Sequence, residues 1–246
     1  MSPEHPHSTD TVAIIPARLR ARRLQDKPLQ NLVGEPLVWR VYRQVARCAE
    51  IDAVWVAADH PTIVDAVQSR GGNALLVPQT CHSGTERVAL ANLKIGAQRV
   101  INVQGDEPFV GSDLLRPLVN ALAEGHPIAT LGAPLPERAL HDPHAVKVVS
   151  DPEGRALYFS RAPIPGRLHV GLYGFDAEVL QTVAHLPRSP LARIEDLEQL
   201  TWLEARWPIH VAAAPRATLS IDTPADLAEA RARLTGQRPI HRAERP

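Results

Sequence analysis

Short, nearly continuous apolar runs alternate with stretches of helical periodicity along most of this chain, and that rhythm leaves few folds open. TVAIIPA (11–17) reads as a strand buried on both faces. PLVWRVYRQVARC (36–48) follows, with Leu37, Val41 and Val45 spaced by four on one helical face. DAVWVAA (52–58) is a strand, PTIVDAVQSR (61–70) a helix opened by proline, and ALLV (74–77) a strand. GTERVALANLK (84–94) reads as a helix, QRVINVQ (98–104) as a strand, SDLLRPLVNALAE (112–124) as a helix capped by Ser112, and IATLGAP (128–134) as a strand. Apolar strands separated by helices predict an α/β fold, with a mostly parallel central sheet flanked by helices.

The rhythm changes after about residue 140. AVKVVS (145–150), ALYFSRA (156–162) and HVGLYGF (169–175) follow in quick succession, joined by the turn signals Asp151-Pro152-Glu153-Gly154 and Pro163-Ile164-Pro165-Gly166. That pattern predicts a small antiparallel lobe, about 145–175, inserted into the α/β sheet. A helix near 193–206, with Ile194, Leu197 and Ala205 on its buried side, a strand at 209–214 and a helix from Pro224 to about Leu234 restore the first rhythm. The expected organisation is a single domain over 11–235 with flexible tails at 1–10 and 236–246.

Composition narrows the function. The 246 residues suffice for one large core, and 27 Lys+Arg balance 27 Asp+Glu. No basic excess points to nucleic acid or an anionic membrane as partner. Cys48 and Cys81 have neither the number nor the spacing of a disulfide framework or a structural zinc site. MSPEHPHSTD lacks the charged and apolar regions of a signal peptide, and no apolar run approaches the ~20 residues of a membrane helix. A soluble, cytoplasmic protein is expected. Lysine occurs only at 27, 94 and 147, so arginine supplies nearly all positive charge.

Three polar clusters sit where an α/β sheet binds ligands, outside the carboxyl ends of its strands. After IIPAR, the loop carries Arg18, Arg20, Arg22, Arg23 and Lys27, a density of cations that suits a di- or triphosphate and equally a solvated basic loop. It contains neither a Walker A sequence nor G-x-G-x-x-G. HSGTER (82–87) opens a helix with small residues that either cap it or offer N–H groups to an anion or base edge. In VQGDEP (103–108), Asp106 and Glu107 lie on a turn after a buried strand, where an acid either forms the turn or holds Mg²⁺ against phosphate oxygens. Asp222, in SIDTPADL, fits a partner to Asp106 or a helix cap.

Taken in order, IIPAR, RL..KPL, AADH, HSGTER, INVQGDEPF, AVKVV, ALYFSRAPIP, HVGLYGF, LEQL and SIDTPADL resemble the CMP-KDO synthetases, the 3-deoxy-manno-octulosonate cytidylyltransferases, from about Val12 to Leu234. The resemblance implies a Rossmann-like nucleotidyltransferase domain that works as a homodimer with CTP and Mg²⁺. It implies that Arg18, Arg23 and Lys27 grip the CTP phosphates and that Ala58, Asp59, Ser83, Gly84, Arg87 and Gln104 surround the nucleotide. Asp106 and Asp222 correspond to the magnesium-binding aspartates, and with Lys27 and Arg18 make up the catalytic set. Gln104, Arg161, His169, Tyr173, Glu195, Glu198 and Gln199 correspond to acceptor positions, the last three at i, i+3, i+4 on one helix face.

The chain departs from that family at three places. Ala21-Arg22 and Gln25-Asp26 replace the usual Ser-Thr and Pro-Gly of the phosphate loop. Ala192 stands where a carboxylate is common. Only Gly166, Arg167 and Leu168 separate Pro165 from His169, where the family has a longer segment. A trimmed acceptor lobe, with an arginine-rich composition typical of GC-rich producers of phosphonate natural products, leads to the expectation of a small anionic acceptor, phosphonoformate first. The alternatives are a CMP-KDO synthetase with a shortened loop and a CTP-binding paralogue without activity, the latter opposed by the joint presence of Lys27, Asp106 and Asp222.

Overall fold

The structure is a computed structural model that describes residues 10–19, 23–77 and 80–236. The expected tails (apart from Asp10 and Gly236) and Arg20, Ala21 and Arg22 of the basic loop lie outside the described residues. In chain order the elements are β1 (Thr11–Ala17), a 3-10 turn (Lys27–Leu29), the hairpin β2 (Asn31–Leu32) and β3 (Glu35–Pro36), α1 (Leu37–Val45), β4 (Ala53–Ala58), α2 (Pro61–Gln68), β5 (Asn73–Leu76), α3 (Gly84–Ile95), β6 (Arg99–Asn102), α4 (Ser112–Ala123) and β7 (Ile128–Ala133). They continue as α5 (Glu137–Leu140), β8 (Lys147–Ser150), β9 (Ala156–Ser160), β10 (Arg167–Asp176), α6 (Ala177–Val183), α7 (Pro190–Glu195), α8 (Gln199–Glu204), β11 (His210–Ala213) and α9 (Pro224–Leu234).

The main sheet runs β11-β7-β10-β6-β1-β4-β5. β1 pairs in parallel with β4 and β6, β4 with β5, and β7 with β11, whereas β10 lies antiparallel between β6 and β7. Both faces are covered, which explains the uninterrupted apolar strands. On β1, Ala13 and Ile15 face a core built with Val41 of α1, Ile63 of α2, Leu118 of α4 and Leu227 of α9. Val12 and Ile14 face the opposite core, with Val88 of α3, Leu180 of α6 and Trp202 of α8.

The antiparallel strands at 145–175 form as expected, but β10 is also a full member of the main sheet. Its first residues pair with β8 through Arg167 and Leu168, and its last four pair with β6. A register shift between Val170 and Tyr173 separates the two parts. β8 and β6 therefore leave the same edge of β10 at different heights, and the sheet forks between them. Among the described residues, β9 pairs with β8 alone.

Two expectations need correction. The single helix at 193–206 is two short helices, because Asp196 adopts a left-handed conformation (φ 53°) at the end of α7, where Arg188 holds its carboxylate at 2.7 Å. Leu197 is buried as expected, but the break turns Ile194 (79% exposed) and Ala205 out to solvent. α6 was not expected; its signal is Asp176, whose side chain accepts from the Glu178 and Val179 amides as an N-cap.

Residues 161–166 carry the chain from β9 across to β10 on the other side of β8. Gly166 makes so short a crossing possible: its φ is +143°, and a Cβ there would stand 2.3 Å from the Val148 carbonyl oxygen. Gly166→Ala is expected to cost more than about 2 kcal/mol and to lower Tm by roughly 5–10 °C. Gly171→Ala on the same strand, where a Cβ meets nothing within 4 Å, should leave Tm unchanged. Equal melting of the two variants in differential scanning calorimetry would refute this account of the crossing.

Candidate active site

The carboxyl ends of β1 and β6 converge with the turn before α9. Gly105 lets the loop after β6 come down on β1, since a Cβ there would lie 3.0 Å from the Pro16 carbonyl oxygen. The Ile221 amide donates to the Asp106 carbonyl at 2.9 Å and joins the two acidic loops through their main chains. Thr223 caps α9 and Asp226 completes the capping box. Asp222 is thus not the cap, and its carboxylate is directed to the cluster instead.

Lys27 lies between the two aspartates, its Nζ 2.5 Å from Asp106 Oδ2 and 3.1 Å from Asp222 Oδ1. Arg23 reaches the other Asp222 oxygen at 3.1 Å. Burial alone would lower the Lys27 pKa, but Asp106 and then Asp222 outweigh it and raise it. Arg18 is exposed at the end of β1. Asp59 shapes the same loop from below, accepting from the Leu19 amide at 2.9 Å. Four of the sequence-predicted residues, Arg23, Lys27, Asp106 and Asp222, are therefore in one cluster.

A second group surrounds the first turn of α3. Ser83 is its N-cap, accepting from the Glu86 amide at 3.1 Å. The Thr85 hydroxyl donates to Glu198 Oε2 at 2.8 Å. Burial raises the Glu198 pKa, opposed by the Ser83 and Thr85 hydroxyls. Gly84 packs on Pro16 and faces Gln104, whose Oε1 would be 3.6 Å from a Cβ at that position. A cavity of about 530 Å³ opens beside this turn, lined by His82, Ser83, Glu86, Arg188, Glu198 and Trp202 among others, and the Lys27 cluster takes no part in it. Arg87 does not face the site: it is buried, and its guanidinium donates to the Val77 carbonyl at 2.5 Å, tying α3 to the end of β5. Ala58 is the buried last residue of β4.

Of the predicted acceptor residues, His169 and Tyr173 lie together on β10, where the sheet forks. His169 Nε2 lies 3.0 Å from Thr130 Oγ1 and 3.1 Å from the Tyr173 hydroxyl. Burial holds the His169 pKa down at about 3, so its ring is neutral, and burial raises that of Tyr173. Asn102, opposite Tyr173 in the sheet, accepts a long 3.4 Å bond from Gln104 Nε2. Gln199 is buried at the start of α8. Glu195 is spent on structure: its carboxylate accepts from the Ser160 hydroxyl at 2.7 Å and the Arg161 amide at 3.0 Å. Glu195 and Glu198 lie on opposite sides of the Asp196 break, so the predicted shared helix face does not form. Sequence reasoning missed Thr130 and Asn102, both polar residues in strands that are otherwise buried and apolar.

The structure thus places a pair of carboxylates clamped by cations at the strand ends of a doubly covered α/β sheet, where such sheets bind ligands. The description "Cytidylyltransferase" matches residues 12–209. The chain is 40% identical to the 3-deoxy-manno-octulosonate cytidylyltransferase of Syntrophotalea carbinolica, over 91% of this chain and 98% of that one. It is 43% identical to the enzyme of the same name from Anaeromyxobacter dehalogenans, over 90% and 96%. A solved CMP:2-keto-3-deoxy-manno-octonic acid synthetase in complex with CTP superposes with a TM-score of 0.88 at 36% identity, covering 92% of this chain and 99% of that one. The 4-diphosphocytidyl-2C-methyl-D-erythritol synthase of Anaerococcus prevotii, at 17% identity and a TM-score of 0.62 (93% and 99% covered), shares the fold alone. The chain belongs to the cytidylyltransferase family, in the group of the 3-deoxy-manno-octulosonate cytidylyltransferases.

Glu107, beside Asp106, is buried, and its Oε2 has no hydrogen-bond partner. Burial first, then the Asp106 charge, push its pKa from 4.5 to about 7, opposed by a hydrogen bond with Thr218. An acid with a raised folded pKa costs no stability below pH 4.5, costs progressively more up to pH 7, and costs its full amount above. Glu107→Gln should match wild type near pH 4.5 and exceed its stability by about 3 kcal/mol at pH 8. Denaturant unfolding without nucleotide or metal ions measures this, and the opposite dependence of His169 cancels between the two proteins. A difference that does not change with pH would contradict the assignment.

Proposed function

We propose that this protein transfers CMP from CTP to 3-deoxy-manno-octulosonate and releases pyrophosphate. The observation that carries the reading is the closure of Asp106 and Asp222 around Lys27, in a chain whose full-length relatives bear the name of that reaction. The acceptor oxygen attacks the α-phosphorus in line, and the bond to the β-phosphate breaks. Such transfers depend mainly on positioning and on charge placed where it develops. Lys27, Arg18 and Arg23 answer the negative charge gathering on the leaving pyrophosphate. Small residues at the start of α3 leave room for the nucleotide, and Gln104 stands between it and the fork that receives the acceptor.

The donor set fits magnesium. Mg²⁺ is commonly held by one or two carboxylates with phosphate oxygens completing the shell, and no cluster of three or more acidic, histidine or cysteine ligands exists among the described residues. Asp106 and Asp222 would hold the ion, which supplies charge neutralisation at the phosphates when bound. Lys27 would then give up its place between the carboxylates and turn to the phosphates. Asp222→Ala should reduce kcat at least roughly 100-fold while leaving the circular dichroism spectrum unchanged. Near wild-type turnover at saturating Mg²⁺ would remove Asp222 from the site.

One observation favours a second reading, transfer to a compact phosphonate such as phosphonoformate: the crossing at 161–166 is short, so fewer groups surround a long polyhydroxylated chain. The names of the relatives favour the sugar acid. Pyrophosphate release from CTP, measured with each acceptor, separates the two, and the sugar acid is expected to give at least a tenfold higher kcat/KM. Turnover of phosphonoformate alone would reverse the choice. CTP should be preferred to ATP by up to about 10⁴, because a site that hydrogen-bonds its base leaves polar groups unpaired with the wrong one. Comparable rates with ATP would overturn the nucleotide assignment.

A further inference from the structure

Of the three lysines in this arginine-rich chain, Lys27 belongs to the carboxylate cluster and Lys94 is exposed in the last turn of α3. Lys147, on β8, is 0% exposed. Its Nζ donates to the carbonyls of Arg161 at 2.6 Å, Ala145 at 2.7 Å and Asp142 at 3.3 Å. An ammonium has three donors and no acceptor, so three converging carbonyls use its whole capacity without a carboxylate. A planar guanidinium does not match that convergence, which gives a physical reason for lysine here in a chain that otherwise uses arginine.

The position matters more than the burial. Lys147 pairs with Ser160 of β9 on one side and with Leu168 of β10 on the other. The next residues along those strands are Arg161 and His169, both predicted to meet the acceptor. Arg161 closes the same knot from outside, donating from Nη1 to the His144 carbonyl and from Nε to the Glu195 carbonyl, each at 3.2 Å. Ammonium and guanidinium thus hold residues 142–145 from two sides.

We propose that Lys147 is a positioning residue of the acceptor site, fixing the Arg161 main chain and the 142–145 loop so that the Arg161 guanidinium is aimed at an anionic acceptor. The proposal rests on the cytidylyl-transfer reading above but requires no contact between Lys147 and the acceptor. Lys147→Met keeps the unbranched stem and removes all three donors. Hydrogen exchange should become at least tenfold faster at the amides of 142–145 and 161–166, with β1 and β6 unchanged. The KM for the acceptor that wild type uses should rise at least tenfold while the KM for CTP stays within twofold. Combined with Arg161→Lys, the change should not exceed that of Arg161→Lys alone.

Should Lys147→Met fail to fold, Lys147→Gln, which keeps an amide donor, carries the same comparison. An unchanged acceptor KM in a folded variant would overturn the proposal. So would an equal rise for both substrates, the mark of a merely structural role, or an additive effect with Arg161→Lys. A wild-type enzyme that turns over neither 3-deoxy-manno-octulosonate nor phosphonoformate would instead sink the functional reading. The proposal would then be decided by exchange alone, and loss of protection outside 142–145 and 161–166 would refute it.

Discussion

Two carboxylates drawn into one partly enclosed space disfavour each other's ionisation unless a cation lies between them. Asp106 and Asp222 come from distant loops, and Lys27 supplies that cation. The surrounding architecture is arranged to let the three meet. β1 runs through the centre of the sheet, so the loop that follows it arrives over the end of β6. The missing side chain at Gly105 lets the loop after β6 settle on Pro16 of β1, and the bond from Ile221 to the Asp106 carbonyl keeps the second carboxylate in reach.

The fork beside β10 obeys a different constraint. An antiparallel strand long enough to pair with both β6 and β8 cannot keep them side by side along its length, so the sheet opens where β10 shifts register. Near that height His169 bonds to Thr130 of β7 and to Tyr173 further along β10. Ionised side chains therefore concentrate around Lys27, Asp106 and Asp222, whereas Thr130, His169 and Tyr173 meet without charge.

The strands and long helices were legible because burial on both sides leaves a plain apolar signature. The break at Asp196 was not, since a periodic pattern cannot register one left-handed residue, and the helix-face argument for Glu195, Glu198 and Gln199 failed with it. Lys27 and Asp106 stood out by residue type in loops that follow strands, whereas Asp222, which the residues alone left between partner and helix cap, was assigned only through the resemblance. The use of Arg87, Asp59 and Glu195 was not, because a sequence shows a donor or acceptor without showing that a main-chain group has already claimed it. Lys147 stood out in composition, yet only the convergence of three carbonyls explains it.

The capping box of α9 ties chemistry to the order of synthesis. Lys27 and Asp106 leave the ribosome early and Asp222 only after every strand of the sheet has been made. A nascent chain thus holds Lys27 and one carboxylate well before it holds the second. The same helix sends Leu227 and Ala230 into the core beside β1, so the turn that carries Asp222 is seated by the body of the protein as much as by the bond from Ile221 to the Asp106 carbonyl.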